Sequence, residues 1–129
     1  MSRRLSHQEA EILGRRAETA AALLLRLKAW RILARHWKSP SGELDIVAKR
    51  GRTVAFVEVK ARPTRDEAAG SLGPAQRRRI GRAARLFLAA HPGLAGADIR
   101  FDVVLVLPWR LPIHIANAWH EDATHGVSA

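Results

Sequence analysis

Two short acidic motifs stand inside apolar runs where charge is expensive. The first is Gly42-Glu43-Leu44-Asp45-Ile46-Val47-Ala48 and the second is Phe56-Val57-Glu58-Val59-Lys60. Burying a carboxylate or an ammonium costs free energy unless something pairs with it. If both runs are strands, side chains alternate with period two, so Glu43 and Asp45 share one face of the first and Glu58 and Lys60 share one face of the second. Lys49-Arg50-Gly51-Arg52 between them reads as a tight hairpin turn, which makes the strands antiparallel neighbours. Counted back from that turn, Asp45 and Glu58 lie at similar depth, so their carboxylates converge. Two carboxylates in a dry site repel unless a cation lies between them. Mg²⁺, or Mn²⁺ in its place, meets that need, because it takes oxygen ligands and is held by one or two carboxylates together with phosphate and water. Lys60 then sets an ammonium beside the ion, able to hold or help deprotonate a water or to neutralise charge building on phosphorus. The plainer reading is a cross-strand ion-pair set, Asp45 and Glu58 against Lys60 and a nearby arginine, on a solvent-facing sheet surface.

The remaining elements must position these groups. Ser6-His7-Gln8-Glu9 has the form of a capping box, and a helix runs from it to about Lys28 with Leu13, Ala17, Ala20, Ala21, Leu24 and Leu27 as its apolar positions. Trp30 to Trp37 reads as a strand, Ser39-Pro40-Ser41-Gly42 as a turn, and Leu44 to Lys49 and Thr53 to Lys60 as two more strands. Arg62 to Gly73 reads as a loop. Pro74 suits the first position of a second helix, which runs to about His91 with Ile80, Ala83, Ala84, Phe87 and Leu88 on its apolar stripe. Ile99 to Leu107 is a further strand and Ile113 to Ala116 a short last one at an edge. Residues 121–129 read as a frayed tail. The middle strands are almost continuously apolar, as in a central mixed sheet covered by helices on both faces.

The chain has 129 residues, the length of one domain, with 47% apolar residues and 26% charged ones. It has no cysteine, which excludes disulfide frameworks and thiolate chemistry. No apolar run approaches the roughly 18 residues of a membrane span, and residues 1–11 lack the apolar core of a signal peptide; the expectation is a cytoplasmic protein with no membrane partner. The net charge is +10, with 22 Lys and Arg against 12 Asp and Glu, an excess that suits phosphate. Arg77, Arg78, Arg79 and Arg82 on the second helix, with Arg62 and Arg65 in the preceding loop, form a basic surface suited to a sugar–phosphate backbone. Its plainer reading is a solvated helix face. The four tryptophans (Trp30, Trp37, Trp109 and Trp119) could stack on bases, but core or edge packing is their first reading, and the six histidines lack metal-ligand spacing. Asp102, between Phe101 and Val103, reads as a buried acid paired with an arginine.

An acid on one strand, Glu-x-Lys on the next, a hairpin between them and a basic helix after them resemble the PD-(D/E)XK nuclease superfamily. Asp45 matches its first acid and Glu58-Val59-Lys60 its triplet, with Leu44 where the superfamily's name has proline. Within it the chain resembles the YraN-like family, on the two motifs above extended to Arg62, on Arg100-Phe101-Asp102-Val103-Val104 and on His114-Ile115-Ala116-Asn117-Ala118. It is also similar to the archaeal Holliday-junction resolvases. The resemblance implies a restriction-endonuclease-like α/β sandwich in the order αβββαββ over a single domain with its core at about residues 6–119. It implies Mg²⁺-dependent endonuclease activity on DNA, including branched or repair intermediates, with RNA and a homodimer also compatible. It further implies a third acid on the first helix, which Glu18 matches in Gly14-Arg15-Arg16-Ala17-Glu18; the stripe through it, Gly14, Ala21, Ala22 and Leu25, is small enough to approach a sheet. Gln76, four before Ile80, matches the polar or basic residue that superfamily members place there to steady the nucleophile or a phosphate. A nucleic-acid-binding accessory protein without turnover is the alternative, and a protein-interaction module with an ion-pair core the third.

Overall fold

Ser6 caps the first helix reciprocally: its hydroxyl accepts from the Glu9 N–H at 3.1 Å and its own N–H donates to the Glu9 carboxylate at 3.1 Å. In the computed structural model, which describes residues 6–70 and 72–120, the helix so begun is α1 (His7–Leu27). Its buried face is Ala17, Glu18, Ala21, Ala22 and Leu25, which corrects the apolar stripe expected from the sequence. Leu13 and Leu27 of that stripe are exposed. The small residues beside Leu25 lie against the sheet because they let the helix axis come close, and Leu13 and Leu27 are left at the flanks.

Five strands follow: β1 (Arg31–Ser39), β2 (Gly42–Arg50), β3 (Thr53–Ala61), β4 (Asp98–Val106) and β5 (Ile113–Trp119). They form one mixed sheet in the order β1-β2-β3-β4-β5, antiparallel throughout except for the parallel pair β3–β4. The β2–β3 hairpin closes with Arg50 opposite Thr53, and Gly51 takes the left-handed φ of +60° that the tight turn requires. Parallel strands need a crossover, and α3 (Pro74–Ala90) supplies it, entered through Pro74 as expected. The segment 62–73, expected to be a loop, contains a short helix, α2 (Arg65–Gly70). Thr64 starts it by accepting from the Glu67 N–H at 3.2 Å, and Ala68 is buried beneath it. β5 runs three residues beyond its expected end because Trp119 stacks on Phe101 with ring centroids 5.1 Å apart. The expected tail, residues 121–129, lies outside the described residues.

The architecture is therefore the expected α/β sandwich, with helices on both faces of a mixed sheet in the order αβββαββ, augmented by α2. Between α3 and the sheet lie Phe56, Phe87, Leu44, Val47, Leu105 and their neighbours. Between α1 and the sheet lie Ala21, Leu25, Trp30, Ile46, Ala48, Val57 and Val104. β3 is covered on both sides, Val54 and Phe56 facing α3 and Ala55 and Val57 facing α1, which is why its sequence is apolar at consecutive positions.

Candidate active site

The sheet forks beside the acidic motifs. β2 pairs with β3 from Arg50–Thr53 as far as Ile46–Val57, and there the paired register stops. β2 continues along β1 to Gly42, while β3 continues along β4 to Ala61. Asp45 and Glu58 are the first residues past the fork. The β1–β2 ribbon also changes face here. Leu44 packs on the α3 side and Ile46 on the α1 side, although they are two residues apart, and His36, between Arg35 and Trp37 on the partner strand, has a left-handed φ of 52°. Asp45 is the residue at the crossing. Its Oδ2 accepts the N–H of Val59 at 2.9 Å, so a side chain takes up a main-chain donor at the opening of the fork.

Glu58 lies behind Asp45, only 4% exposed. The Asp45 main chain and carboxyl both bear on it, the main chain favouring its ionised form and the carboxyl opposing it. Burial and then the Asp45 charge push the Glu58 carboxyl up to about 8, and Lys60 opposes the shift. Asp45 is likewise raised, first by burial and further by Glu18 and Glu43; the Val59 N–H and Lys60 act against this. Lys60 is 8% exposed. This is a buried charge cluster and not the solvated cross-strand ion-pair surface that was the plainer expectation.

Glu18 comes to the same place from α1, 3% exposed. Arg35 Nε donates to its Oε1 at 2.9 Å, and His36 Nε2 lies 2.6 Å from its Oε2. The other ring nitrogen of His36 lies 2.6 Å from Glu43 Oε1, so the imidazole bridges two carboxylates and both nitrogens donate when it is protonated. Arg35 and His36 are site residues that sequence reasoning missed. The positive φ that turns His36 toward α1 leaves no mark in the pattern of a strand. A cleft of about 290 Å³ opens over this cluster, lined by Glu11, Gly14, Arg15, Glu18, His36, Asp45 and Val59.

The other expected residues are placed less centrally. Gln76 is half-buried in the first turn of α3. That end of α3 follows the end of β3 through α2, on the sheet face that carries Phe56. Arg62 lines the grooves next to the cleft. Arg65, Arg77, Arg78, Arg79 and Arg82 are exposed on α2 and α3, and Arg77 Nε donates to the Leu72 carbonyl at 3.2 Å. Arg15, which the sequence did not single out for binding, is the basic residue in the cleft wall.

Asp102 is fully buried in β4 and takes no part in the cleft wall. As expected it pairs with an arginine: Arg100 binds it through Nε at 2.9 Å and Nη2 at 2.8 Å. His114 Nε2 lies 2.7 Å away and the Asn117 N–H donates at 2.9 Å. Burial pushes its carboxyl up, but His114, Arg100 and the Asn117 N–H together outweigh this and hold it at about 2. Lys28 Nζ, 2.6 Å from His114 Nδ1, extends this clamp from β5 to the end of α1.

A model of uncharacterised protein family UPF0102 matches residues 17–106, a span that includes Glu18, both acidic strand motifs, Lys60 and Asp102. The chain belongs to this family. Its members are similar to it over most of their lengths. A UPF0102 protein of Paramagnetospirillum magneticum is 56% identical over 121 residues, 91% of this chain and 94% of its own. Those of Parvibaculum lavamentivorans and Methylocella silvestris are 56% and 57% identical over 107 and 105 residues, covering 83% and 81% of this chain and 80% and 85% of theirs. The YraN-like resemblance read from the sequence therefore holds at the level of the family. No helix among the described residues is long and apolar enough to cross a membrane.

The donor set at the fork can be tested against a metal ion directly. Among the described residues, no group of three His, Asp or Glu side chains forms a ready cage. Mg²⁺ asks for less, one or two carboxylates with the rest of its shell from water and phosphate. Asp45 and Glu58 meet this: both are oxygen donors, they stand together at the fork, and the raised Glu58 carboxyl reports a place where a second negative charge lacks compensation. The residues present fit a hard divalent cation.

Proposed function

We propose that this protein is a Mg²⁺- or Mn²⁺-dependent endonuclease of the PD-(D/E)XK type, hydrolysing phosphodiester bonds in DNA, including branched or repair intermediates. The observation that carries the reading is the position of Asp45 and Glu58 together, the first residues past the paired register at the fork, with Lys60 among the charges acting on both. A protein that only bound phosphate would gain nothing from clustered acids beside it. A divalent cation bound by Asp45 and Glu58 would supply Lewis-acid polarisation of a phosphodiester oxygen and a more acidic water. Lys60 offsets negative charge developing on phosphorus and donates to the attacking water. Glu18, fixed by Arg35 and His36, accepts a hydrogen bond from that water at the cleft floor. Gln76 supports from the start of α3, and Arg15, Arg62 and the exposed arginines of α2 and α3 neutralise phosphates on either side of the scissile bond.

The test is cleavage of labelled single strand, duplex, flap, four-way junction and RNA with Mg²⁺, Mn²⁺ or chelator, wild type against Glu58→Gln. Cutting that requires metal and vanishes in the variant supports the reading. One observation favours a second reading, an accessory nucleic-acid-binding protein without turnover: Glu18 is already engaged by two basic side chains. Salt-sensitive binding equal in both proteins, with no cutting of any substrate, would decide for that reading.

A further inference from the structure

The β4–β5 connection, Leu107-Pro108-Trp109-Arg110-Leu111-Pro112, carries an exposure that folding does not explain. Trp109 is wholly exposed, at 102%. The other three tryptophans are used internally: Trp30 is buried, Trp37 meets Phe87 edge-on at 5.2 Å, and Trp119 stacks on Phe101. Trp109 also has a φ of +62°, a strained conformation for a bulky residue that persists where the surroundings impose it. Prolines at 108 and 112 stiffen the segment on both sides. The loop backbone is therefore restrained on both sides, and it presents the indole to solvent with nothing packed over it.

Its position ties it to the fork. Val106, the last residue of β4, pairs with Ala61, three residues beyond Glu58 on the parallel strand. At about 3.3 Å per strand residue, with three more residues to Trp109, the indole is within roughly 20 Å of Glu58 along the sheet end. Adjoining grooves connect them. The cleft at Asp45 shares Gly14 and Val59 with a second groove of about 230 Å³. That one shares Leu13, Ala61 and Arg62 with a third of about 320 Å³, which ends at Pro108. Apart from Arg62 these two outer grooves are lined by apolar and small residues, Leu13, Val59, Pro63 and Leu107 among them, and Arg110 is exposed next in sequence to the indole.

An exposed aromatic face next to arginines, on a chain of net charge +10, complements a ligand with π faces strung on a chain of negative charges. We propose that Trp109 is a stacking platform for an unpaired base of a nucleic-acid strand whose phosphates are met by Arg62 and Arg110 beside the trench leading to Asp45 and Glu58. Bases inside an intact duplex have their faces covered by their neighbours, so this platform selects strands with single-stranded character: forks, flaps, gaps and junction crossovers. The inference rests on the nuclease-site reading for its direction along the trench. It adds the residue that selects among those substrates.

The test is binding, not cleavage, so that the two readings can fail separately. Fluorescence anisotropy of the full chain in chelator would follow labelled single strand, forked duplex and blunt duplex of about 20 nucleotides, for wild type, Trp109→Ala and Trp109→Phe. Loss of one stacked base predicts roughly 5- to 100-fold weaker single-strand and fork binding in Trp109→Ala. Blunt-duplex binding should stay within about twofold, Trp109→Phe should keep most of the affinity, and the salt slope should not change, because no phosphate contact is lost. Trp109→Ala should melt where wild type does, since the indole touches little. Equal losses on all three ligands, or none, would overturn the inference even if the wild type cuts DNA. Selective loss with no cutting of any substrate would support the platform and sink the nuclease reading. No binding of wild type to any nucleic acid would overturn both.

Discussion

Glu58→Gln should make the metal-free protein more stable, by an amount that grows as pH rises from about 4.5 to about 8. The Glu58 carboxyl is raised from 4.5 to about 8 by burial and by Asp45, so between these values the folded chain holds a proton that the unfolded chain has released. Stability then falls as pH rises through that window. Below about 4.5 the buried group is neutral in both states and costs nothing as a charge; above about 8 the full penalty of an ionised Glu58 beside Asp45 is present. At about 1.4 kcal/mol per pH unit the penalty is at most about 5 kcal/mol. Gln has the same shape and never ionises. The variant should match wild type within about 1 kcal/mol at pH 5 and exceed it by several kcal/mol at pH 9, on the order of 10 °C in melting temperature for a domain of this size. The groups facing Glu58 (Asp45, Lys60, and beyond them Glu18, Glu43 and His36) are present in both proteins, and the difference between them isolates Glu58 together with its effect on Asp45. Urea unfolding in chelator at pH 5, 7 and 9 measures this. Repeating it with Mg²⁺ should raise wild type at pH 9 and leave the variant unmoved. Parallel stability curves for the two proteins across this range would refute the claim that the carboxyl pair is uncompensated.

Three further perturbations separate other parts of the molecule. Asp102→Asn strips charge from a site bound by Arg100 and His114; chemical unfolding at pH 7 should show a loss of about 3 kcal/mol. Because Asp102 is held at about 2 against 3.8, wild type should lose stability as pH falls through that window and the variant should not. Replacing Arg78, Arg79 and Arg82 together by Gln should flatten the salt dependence of duplex binding by up to about 3 in log–log slope if each meets a phosphate, and an unchanged slope would return them to a solvated face. Asp45→Asn keeps an oxygen acceptor for the Val59 N–H, whereas Asp45→Ala leaves that donor bare; the alanine variant should be the less stable by about 1–3 kcal/mol in thermal unfolding, and equal stabilities would mean the N–H finds another partner.

Period-two and period-3.6 patterns placed the strands and both long helices, because burial against a sheet imposes those periods directly. On α1 the leucine-marked stripe held only at Ala17 and Ala21; the buried face follows the stripe through Glu18, with Ala21, Ala22 and Leu25, because closeness to the sheet is set by small side chains. α2 was hidden in a segment rich in Pro and Gly, although Thr64-Arg65-Asp66-Glu67 carries a helix-start signal in which Thr64 does cap Glu67. The full length of β5 depended on the stacking of Trp119 on Phe101, a contact between residues 18 positions apart that no local pattern encodes.

At the site, the convergence of Asp45 and Glu58 was legible because a short antiparallel hairpin converts sequence distance from its turn into spatial depth. The clamp on Glu18 was not, since it depends on one backbone dihedral. With His36 in the ordinary extended region, successive side chains of β1 would alternate, and Arg35 and His36 could not both reach the same carboxylate. The left-handed φ of 52° at His36 and the change of face at Asp45 occur at the same level of the β1–β2 ribbon, just where β2 parts from β3. These are facets of one distortion. Turning the ribbon there ends its pairing with β3, releases the Val59 N–H to the Asp45 carboxylate, opens the cleft, and carries Arg35 and His36 round to neutralise Glu18. A sheet built only for stability would have continued the ladder and kept acids out of the gap. This one spends main-chain pairing to bring Asp45 and Glu58 together beside Glu18, and Asp45 and Glu58 are left with raised affinity for protons. A divalent cation bound there would take over the role those protons play in its absence.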